Sequence, residues 1–254
     1  MYPCRLLERT LLDSSNTSPE VEASGINTAI LPVGAIEQHG PHLPLSVDWA
    51  QAEHVSRLVA GRMNAFLLPG VPFGTSEAHD GFRGSISVSH ESLKTYVRDI
   101  CESLIGQGFT RIAILNFHAG NIALKVLVRQ VNWAQDSGKV VLMQPWIDAS
   151  ARITEILESS HEEMHAGEME TSIMMHIAPD HVGDERIDHV PNLGSFAFDL
   201  SPMKDYAPDG IWGRPSLATA EKGRLVIEAM VDATVDHLEK TFERLGLPGS
   251  PGHD

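Results

Sequence analysis

The sequence has few cysteines and few basic residues, and each shortage excludes a class of protein. Two cysteines, Cys4 and Cys101, in 254 residues provide neither a disulfide framework nor a cysteine-based zinc site, and this usage is typical of a reducing cytoplasm. The 19 basic residues are outnumbered by 34 acidic ones, and the net charge is -15. That balance argues against nucleic acid or an anionic membrane as a partner.

Long hydrophobic runs are also missing. No apolar stretch approaches the roughly 20 residues that span a membrane, and the first residues lack the apolar segment of a signal peptide. We therefore expect a cytoplasmic protein. The hydrophobic content of 42% and the charged content of 21% are those of a globular chain. This length suffices for one large core, and we expect a single domain over residues 1–254.

Apolar runs alternate with segments of helical spacing along the chain. The predicted strands are Thr28–Val33, Ala65–Leu68, Arg111–Leu115 and Val140–Met143, with Ile86–Val88 as a candidate for another short strand. The predicted helices are Asp48–Met63, His90–Gly106, residues 121–135, Ala166–Ile177 and Ala218–Leu245. Because strands alternate with helices of this length, we expect an α/β fold of three layers, with a mostly parallel central sheet between two layers of helices.

The most informative segment follows the first predicted strand, where Glu37, His39 and Asp48 occur close together. Ligand sites in open α/β sheets lie at the carboxyl ends of strands. Glu37 and His39 are two residues apart, so their side chains point the same way in an extended segment. Asp48 begins a predicted helix and can reach the same point, and its two oxygens could bridge two ions. Although Glu-x-His also occurs by chance, this pattern favours a metal site.

Two further clusters contain the same residue types. His118 directly follows the strand Arg111–Leu115, so we expect it at the same end of the sheet, and Gly120 keeps its turn tight enough for close approach of the backbone to a ligand. His165 and Glu168 are three residues apart at the start of a predicted helix and would share one face. Glu170 would then point elsewhere.

These clusters predict a set of five metal ligands: Glu37, His39, Asp48, His118 and Glu168. Three carboxylates and two imidazoles without a thiolate suit Zn, Mn or Fe. Five ligands exceed the needs of one tetrahedral site. We therefore expect two divalent metal ions, about 3.5–4 Å apart and bridged by Asp48 and a hydroxide.

In these motifs the sequence resembles the creatininase family of metal-dependent amidohydrolases. The resemblance is carried by residues 34–44 with Asp48, by residues 116–121, by residues 165–172 and by residues 218–223, and it covers roughly residues 17 to 245. It implies a two-metal site bridged by Asp48 and a catalytic role for His165. It also implies a homo-oligomer, since family members are commonly hexamers built from dimers.

The sequence departs from creatininase itself at two places. Creatininase carries a glutamate ligand where this chain has Gly120, and we expect Glu168 to supply the missing carboxylate. Trp146 resembles a tryptophan that brackets the substrate in creatininase, but its partner aromatic is absent here. Creatinine is therefore not the expected substrate. Other branches of the family act on a formamide of a pyrimidine nucleotide, on a peptide cofactor precursor or on cyclic polyol-derived ketones.

We expect hydrolysis of a C–N amide bond in a small substrate, cyclic or a formamide, by the metal-bridging hydroxide. Either His165 or Glu170 would carry the proton to the leaving nitrogen. The long loop of residues 73–84 would line the pocket with Ser76 and His79, and Gly120 and Trp146 complete the predicted substrate contacts. The alternatives are a hydrolase for a carbocyclic or ketonic substrate, a peptidase for a peptide precursor, and a metal-binding structural or regulatory protein without turnover.

Overall fold

Four parallel strands form the central sheet of the computed structural model, which describes residues 11–247 and Gly249; Cys4 lies outside the described residues. The strands are β1 (Thr28–Val33), β2 (Phe66–Leu67), β3 (Arg111–Asn116) and β4 (Lys139–Met143), in the order β2-β1-β3-β4. β1 and β3 pair over their full length, and Val33 lies opposite Asn116. The chain therefore leaves both central strands at the same edge of the sheet.

Eight α-helices surround this sheet in the described part of the chain. They are α1 (Ser18–Ser24), α2 (Val47–Met63), α3 (His90–Gly106), α4 (Ala123–Ala134), α5 (Pro145–Asp148), α6 (Ser150–Ile156), α7 (Glu168–Ile177) and α8 (Ala220–Arg244). Short 3₁₀ turns lie at Glu77–His79, Pro179–His181, Ser195–Asp199, Met203–Asp205 and Pro215–Leu217. None of the helices described combines the length and apolarity that crossing a membrane requires.

The two faces of the sheet pack against different helices. Ile30 of β1 belongs to a core shared with α2, α7 and α8, whereas Ala29 and Leu31 belong to a second core shared with α3 and α4. Every residue of β1 and β3 is buried, which explains why apolar and polar residues do not alternate along these strands. The three-layer α/β fold with a parallel sheet is thereby confirmed.

The structure differs from the prediction at Ile86–Val88 and at the start of the seventh helix. Ile86 makes only an isolated antiparallel bridge with Ile36, so no strand forms at Ile86–Val88. The seventh helix begins at Glu168, two residues later than predicted. Ala166 has a φ of 53°, in the left-handed region that interrupts a helix, and His165 instead pairs with Trp212.

Candidate metal centre

The end of β1 and the start of α2 are packed directly against each other. A Cβ atom at Gly34, the first residue after β1, would lie 2.8 Å from the backbone N and Cα of Trp49, a separation that real Cβ atoms do not adopt. Glycine is therefore required for this close approach. It places Asp48, in the first turn of α2, beside Glu37 and His39 in the loop that leaves β1.

A network of asparagines fixes the turn after β3. The Asn116 side chain donates to the His118 carbonyl oxygen at 2.7 Å. The Asn121 amide donates to Asn116 Oδ1 at 2.9 Å and to the Gly34 carbonyl oxygen at 3.2 Å. These bonds tie the turn that carries His118 to the end of β1, so His118 is brought to the Glu37 cluster as the sequence predicts.

Asp48 lies between two imidazoles and presents one oxygen to each. Its Oδ1 is 3.3 Å from His39 Nε2, and its Oδ2 is 3.1 Å from His118 Nδ1. The same His118 nitrogen is 3.3 Å from Glu37 Oε1. All four side chains are buried, with at most 7% of any residue exposed. The site thus contains two adjoining groups of ligand atoms that share Asp48.

Backbone carbonyls fix the tautomers of both imidazoles. His39 Nδ1 is 3.1 Å from the Glu37 carbonyl oxygen, and His118 Nε2 is 3.1 Å from the Thr75 carbonyl oxygen. A carbonyl oxygen only accepts, so these two nitrogens carry the protons. The other nitrogen of each ring faces the carboxylates with its lone pair. This arrangement is typical of metal-binding histidines.

Unpaired buried atoms test whether these residues fit a metal. Glu37 Oε2, His39 Nε2 and Asp48 Oδ2 are buried and have no hydrogen-bond partner. A buried polar atom left unpaired costs roughly 1–3 kcal/mol, and a divalent cation would satisfy all three. Carboxylate oxygens with imidazole nitrogens are a donor set for Zn, Mn or Fe. The residues therefore fit a divalent metal.

The charges of the site point to a cation as well. Burial opposes the charged form of His39, but the carboxylates of Glu170 and Asp48 outweigh it and raise the pKa of the ring well above its usual value. Burial likewise opposes ionisation of Glu37, yet the neighbouring His118 holds the pKa of this carboxyl well below its usual range. The lowered pKa values of Glu37 and Asp48 favour their ionised forms, so the buried site carries negative charge that a cation would neutralise.

Glu168 is not brought to this cluster, which corrects the ligand set expected from the sequence. Its Oε2 accepts from the backbone N–H of Ser159 at 2.8 Å and from the Ser159 hydroxyl at 2.7 Å. Its Oε1 accepts from Lys222 Nζ at 2.5 Å and from the Glu158 N–H at 3.1 Å. Both oxygens are therefore occupied at the junction with α8.

Glu170, and not Glu168, lies beside His39. Its Oε1 is 3.8 Å from His39 Nε2, and its Oε2 accepts from the Ala166 N–H at 2.6 Å. The helical spacing from His165 failed because α7 begins only at Glu168. Gly167 precedes the helix, and Glu168 and Glu170 lie in its first turn. This glycine followed by acidic residues is the sequence signal that would have placed the start of the helix correctly.

The remaining predicted residues divide into two groups. His165 and His79 lie at the cluster, with ring nitrogens 3.9 Å and 3.1 Å from Glu37 Oε1. Ser76 precedes the short helix that ends at His79, and its hydroxyl is buried without a partner. Trp146 instead packs on the apolar core, 6.4 Å from the ring of Phe117. The structure therefore does not bring Trp146 to the cluster.

Gly120 lies beside His118 and leaves no room for a side chain. A Cβ at this position would lie 2.5 Å from the Thr75 carbonyl oxygen and closer still to His118 Nε2. The Gly120 carbonyl oxygen also accepts from the Thr75 hydroxyl. This residue contributes backbone alone to the site, as the sequence indicates.

One residue of the site was not singled out from the sequence. Gln38, between Glu37 and His39, places its amide nitrogen 3.0 Å from His79 Nδ1 and 3.1 Å from His165 Nε2. In an extended segment its side chain would point away from its two neighbours. Here the side chain meets two histidines from distant segments, and no pattern in the sequence reports that contact.

Comparisons with known proteins identify the family of this chain. Residues 14–238 match the family model described as creatinine amidohydrolase. The chain is 32% identical over 227 residues to the mycofactocin precursor peptide peptidase of Mycobacterium ulcerans, covering 83% of this chain and 84% of that protein. It is 31% identical over 242 residues to the creatinine amidohydrolase of Pseudomonas putida, with coverages of 87% and 92%.

The fold agrees equally well with solved structures. A mutant creatininase described as the Zn-Zn type matches with a TM-score of 0.79 and 28% identity, over 91% of this chain and 98% of that one. The matching family model extends over far more than half of the chain. The chain is therefore a hydrolase of the creatininase family.

Proposed function

We propose that this hydrolase uses two divalent metal ions to cleave a C–N amide bond in a small substrate. The observation that carries the proposal is the position of Asp48, whose two oxygens face different imidazoles at 3.3 Å and 3.1 Å. One carboxylate that serves two groups of ligands is the arrangement of a two-metal site. A single structural ion would need no such sharing.

The ligands divide between the two ions as follows. Glu37, Asp48 and His118 would hold one ion, and His39, Asp48 and Glu170 would hold the other. Ligand atoms of Glu37, His39 and Asp48 all lie within 4.8 Å of one another, which is compact enough for adjoining ions. Two divalent charges would also offset part of the net charge of -15.

Two divalent ions, when bound, would lower the pKa of a bound water toward neutrality and polarise the carbonyl that is attacked. His165 is then the residue that moves the proton. Its Nε2 donates to the Gln38 carbonyl oxygen at 2.7 Å, so Nδ1 faces the cluster with its lone pair. Burial, with His39 nearby, lowers the pKa of His165, and a neutral ring can accept the proton and pass it to the leaving nitrogen.

Glu170 is less suited to this step because both of its oxygens have other neighbours, the Ala166 N–H and His39 Nε2. The unpaired hydroxyl of Ser76 would instead hold a polar group of the substrate. Of the two candidates for the proton shuttle, we propose His165.

An open-chain amide, such as a formamide or a short peptide, is the substrate class that we propose. The relatives from M. ulcerans and P. putida are named for a peptide precursor and for creatinine, and amide hydrolysis is common to both. Creatinine itself is disfavoured here because Gly120 has neither a carboxylate nor space for one, and because Trp146 is partly buried against the apolar core.

The test is elemental analysis of protein purified without chelators, followed by a panel of formamides, cyclic amides, short peptides and creatinine. We expect about two ions per chain and turnover of an open-chain amide. Asp48→Asn should lose both ions together, whereas Asp232→Asn, on the surface of α8, should lose neither. Two tightly bound ions without turnover of any amide would instead favour a metal-binding structural or regulatory protein. One ion or none would refute the two-metal site.

A further inference from the structure

His79 lies at the edge of the cluster and contacts it through one nitrogen only. The ring belongs to the short helix Glu77–His79 and is 3% exposed. Its Nε2 is 3.1 Å from Glu37 Oε1, and its Nδ1 is 3.0 Å from the Gln38 amide nitrogen. The ring is therefore held between an amide and a carboxylate, and the position of its single proton decides what it can do.

The orientation of the Gln38 amide is fixed by the backbone. Its Oε1 accepts from the Gly40 N–H at 3.0 Å, a group that can only donate. The amide nitrogen must therefore be the end that faces His79, and it too can only donate. His79 Nδ1 is then the acceptor, so the proton of the neutral ring lies on Nε2 and points at Glu37.

His165 does not compete for the Gln38 amide. Its Nε2 is 3.1 Å from the amide nitrogen, but it lies closer, at 2.7 Å, to the Gln38 carbonyl oxygen and must donate there. Two donors do not form a hydrogen bond. The second hydrogen of the amide faces Met203 Sδ at 3.5 Å, so the first is committed to His79.

We propose that Gln38 and His79 form a hydrogen-bonded relay that positions the Glu37 carboxylate for metal binding. The amide donates to His79 Nδ1, and His79 Nε2 donates to Glu37 Oε1, which leaves Glu37 Oε2 without a hydrogen bond and free for an ion. This inference rests on the proposed metal site. It makes His79 a positioning residue rather than the substrate contact expected from the sequence.

The relay also decides whether His79 itself is a ligand. Ring nitrogens of His79 and His165 lie close enough to Glu37 to form a candidate metal group. In the relay, however, the lone pair of His79 accepts from Gln38, and its other nitrogen is protonated. No electron pair is left for a metal, so the ring orients a ligand without being one.

The first test is the tautomer of His79 in metal-free protein labelled with ¹⁵N in histidine. Long-range ¹H–¹⁵N spectra distinguish a proton on Nε2 from one on Nδ1, and the signal that disappears in His79→Gln assigns the ring. We expect a neutral ring protonated on Nε2 in the wild type. Gln38→Glu keeps the bond from Gly40 but replaces the donor by an acceptor, so it should move the proton to Nδ1. A wild-type proton on Nδ1 would overturn the relay.

The second test is metal affinity, measured by competition with a chelator. His79→Phe keeps a ring but removes the donor, and it should weaken binding by about 10–100-fold, the usual cost of losing a residue that supports a ligand. His79→Gln can still donate to Glu37 and should stay close to wild type. His90→Phe removes a surface histidine that pairs with Glu77 at 3.0 Å and serves as the matched control.

The outcomes separate the two proposals. Wild-type protein that binds no metal refutes the metal site, and the tautomer of His79 still tests the hydrogen bonds. Two ions in the wild type with unchanged affinity in His79→Phe refute the relay alone. Equal losses in His79→Phe and His79→Gln also refute it, because a donor to Glu37 would then not be what matters. Thermal unfolding of each metal-free variant identifies one that has failed to fold.

Discussion

Two single variants, Glu168→Gln and Glu170→Gln, distinguish a structural carboxylate from a metal ligand. Glu168 is fully buried and accepts hydrogen bonds from Ser159 and Lys222. Removing one member of a buried ion pair costs roughly 3–5 kcal/mol. Lys222 keeps Glu158 and a backbone carbonyl as partners, so we expect the lower end, about 3 kcal/mol. At about 2–4 °C per kcal/mol for a chain of this size, the melting temperature should fall by about 6–12 °C.

The Glu170→Gln variant should behave in the opposite way. In the wild type, the Ala166 N–H donates to Glu170 Oε2 at 2.6 Å. The amide oxygen of the introduced glutamine can still accept this hydrogen bond. The free energy of unfolding of the metal-free protein should therefore change by less than about 1 kcal/mol. The amide cannot replace the negative charge beside His39. Metal affinity should therefore fall by at least about 10–100-fold, the usual effect of losing a residue that supports a metal ligand.

Two measurements on the same preparations decide this prediction. Thermal unfolding in the presence of a chelator gives the stability of the metal-free chain, and competition with a chelator gives the affinity for Zn and Mn. Lys222→Met is the matched control, because it breaks the same ion pair from the other side and should also lower stability without loss of metal. Loss of metal in Glu168→Gln, with metal retained in Glu170→Gln, would refute the assignment made from the structure.

Three further predictions concern separate parts of the chain. Gly120→Ala should displace the His118 ring, because the added Cβ would clash with His118 Nε2 as well as with the Thr75 carbonyl oxygen, and elemental analysis should find fewer than two ions per chain. Burial raises the pKa of the Cys101 thiol to about 12, so iodoacetamide should label the peptide that carries it only after unfolding. Hydrogen bonds from Arg152, then Arg62, lower the pKa of Asp232 in the folded chain. The ion pairs of Asp232 therefore stabilise the fold at pH values above the pKa of an unfolded aspartate, about 3.9. This stabilisation is lost as the pH falls through the folded pKa. Urea unfolding should therefore separate wild type from Asp232→Asn most clearly at pH 7, and the difference should shrink as the pH is lowered below about 3.9.

The fold and most of the site follow from short patterns in the sequence. The buried strands β1 and β3 are visible in the sequence as apolar runs, and parallel pairing places their carboxyl ends together. Glu37, His39 and His118 could be assigned to one site on that basis alone. Asp48 joined them because it begins the next helix. These residues are positioned by regular structure whose period is known in advance.

Residues positioned by irregular backbone could not be assigned in this way. Trp146 follows β4, as expected, but the short helix Pro145–Asp148 turns its ring onto Phe117. Gln38 contacts His79, which lies 41 residues further along the chain. Neither orientation follows from a period of 2.0 or 3.6 residues, since each depends on contacts between segments far apart in the chain.

The backbone at Ala166 contributes to the different orientations of Glu168 and Glu170. A residue with a φ of 53° in the left-handed region costs roughly 1–2 kcal/mol, so surrounding contacts must hold it there. His165 pairs with Trp212 on one side, and the Ala166 N–H donates to Glu170 on the other. That last bond turns the Glu170 carboxylate toward His39 and leaves Glu168 to face α8. The strained residue thus lies next to the cluster and is bonded to the glutamate that faces His39, as strain near functional residues often is.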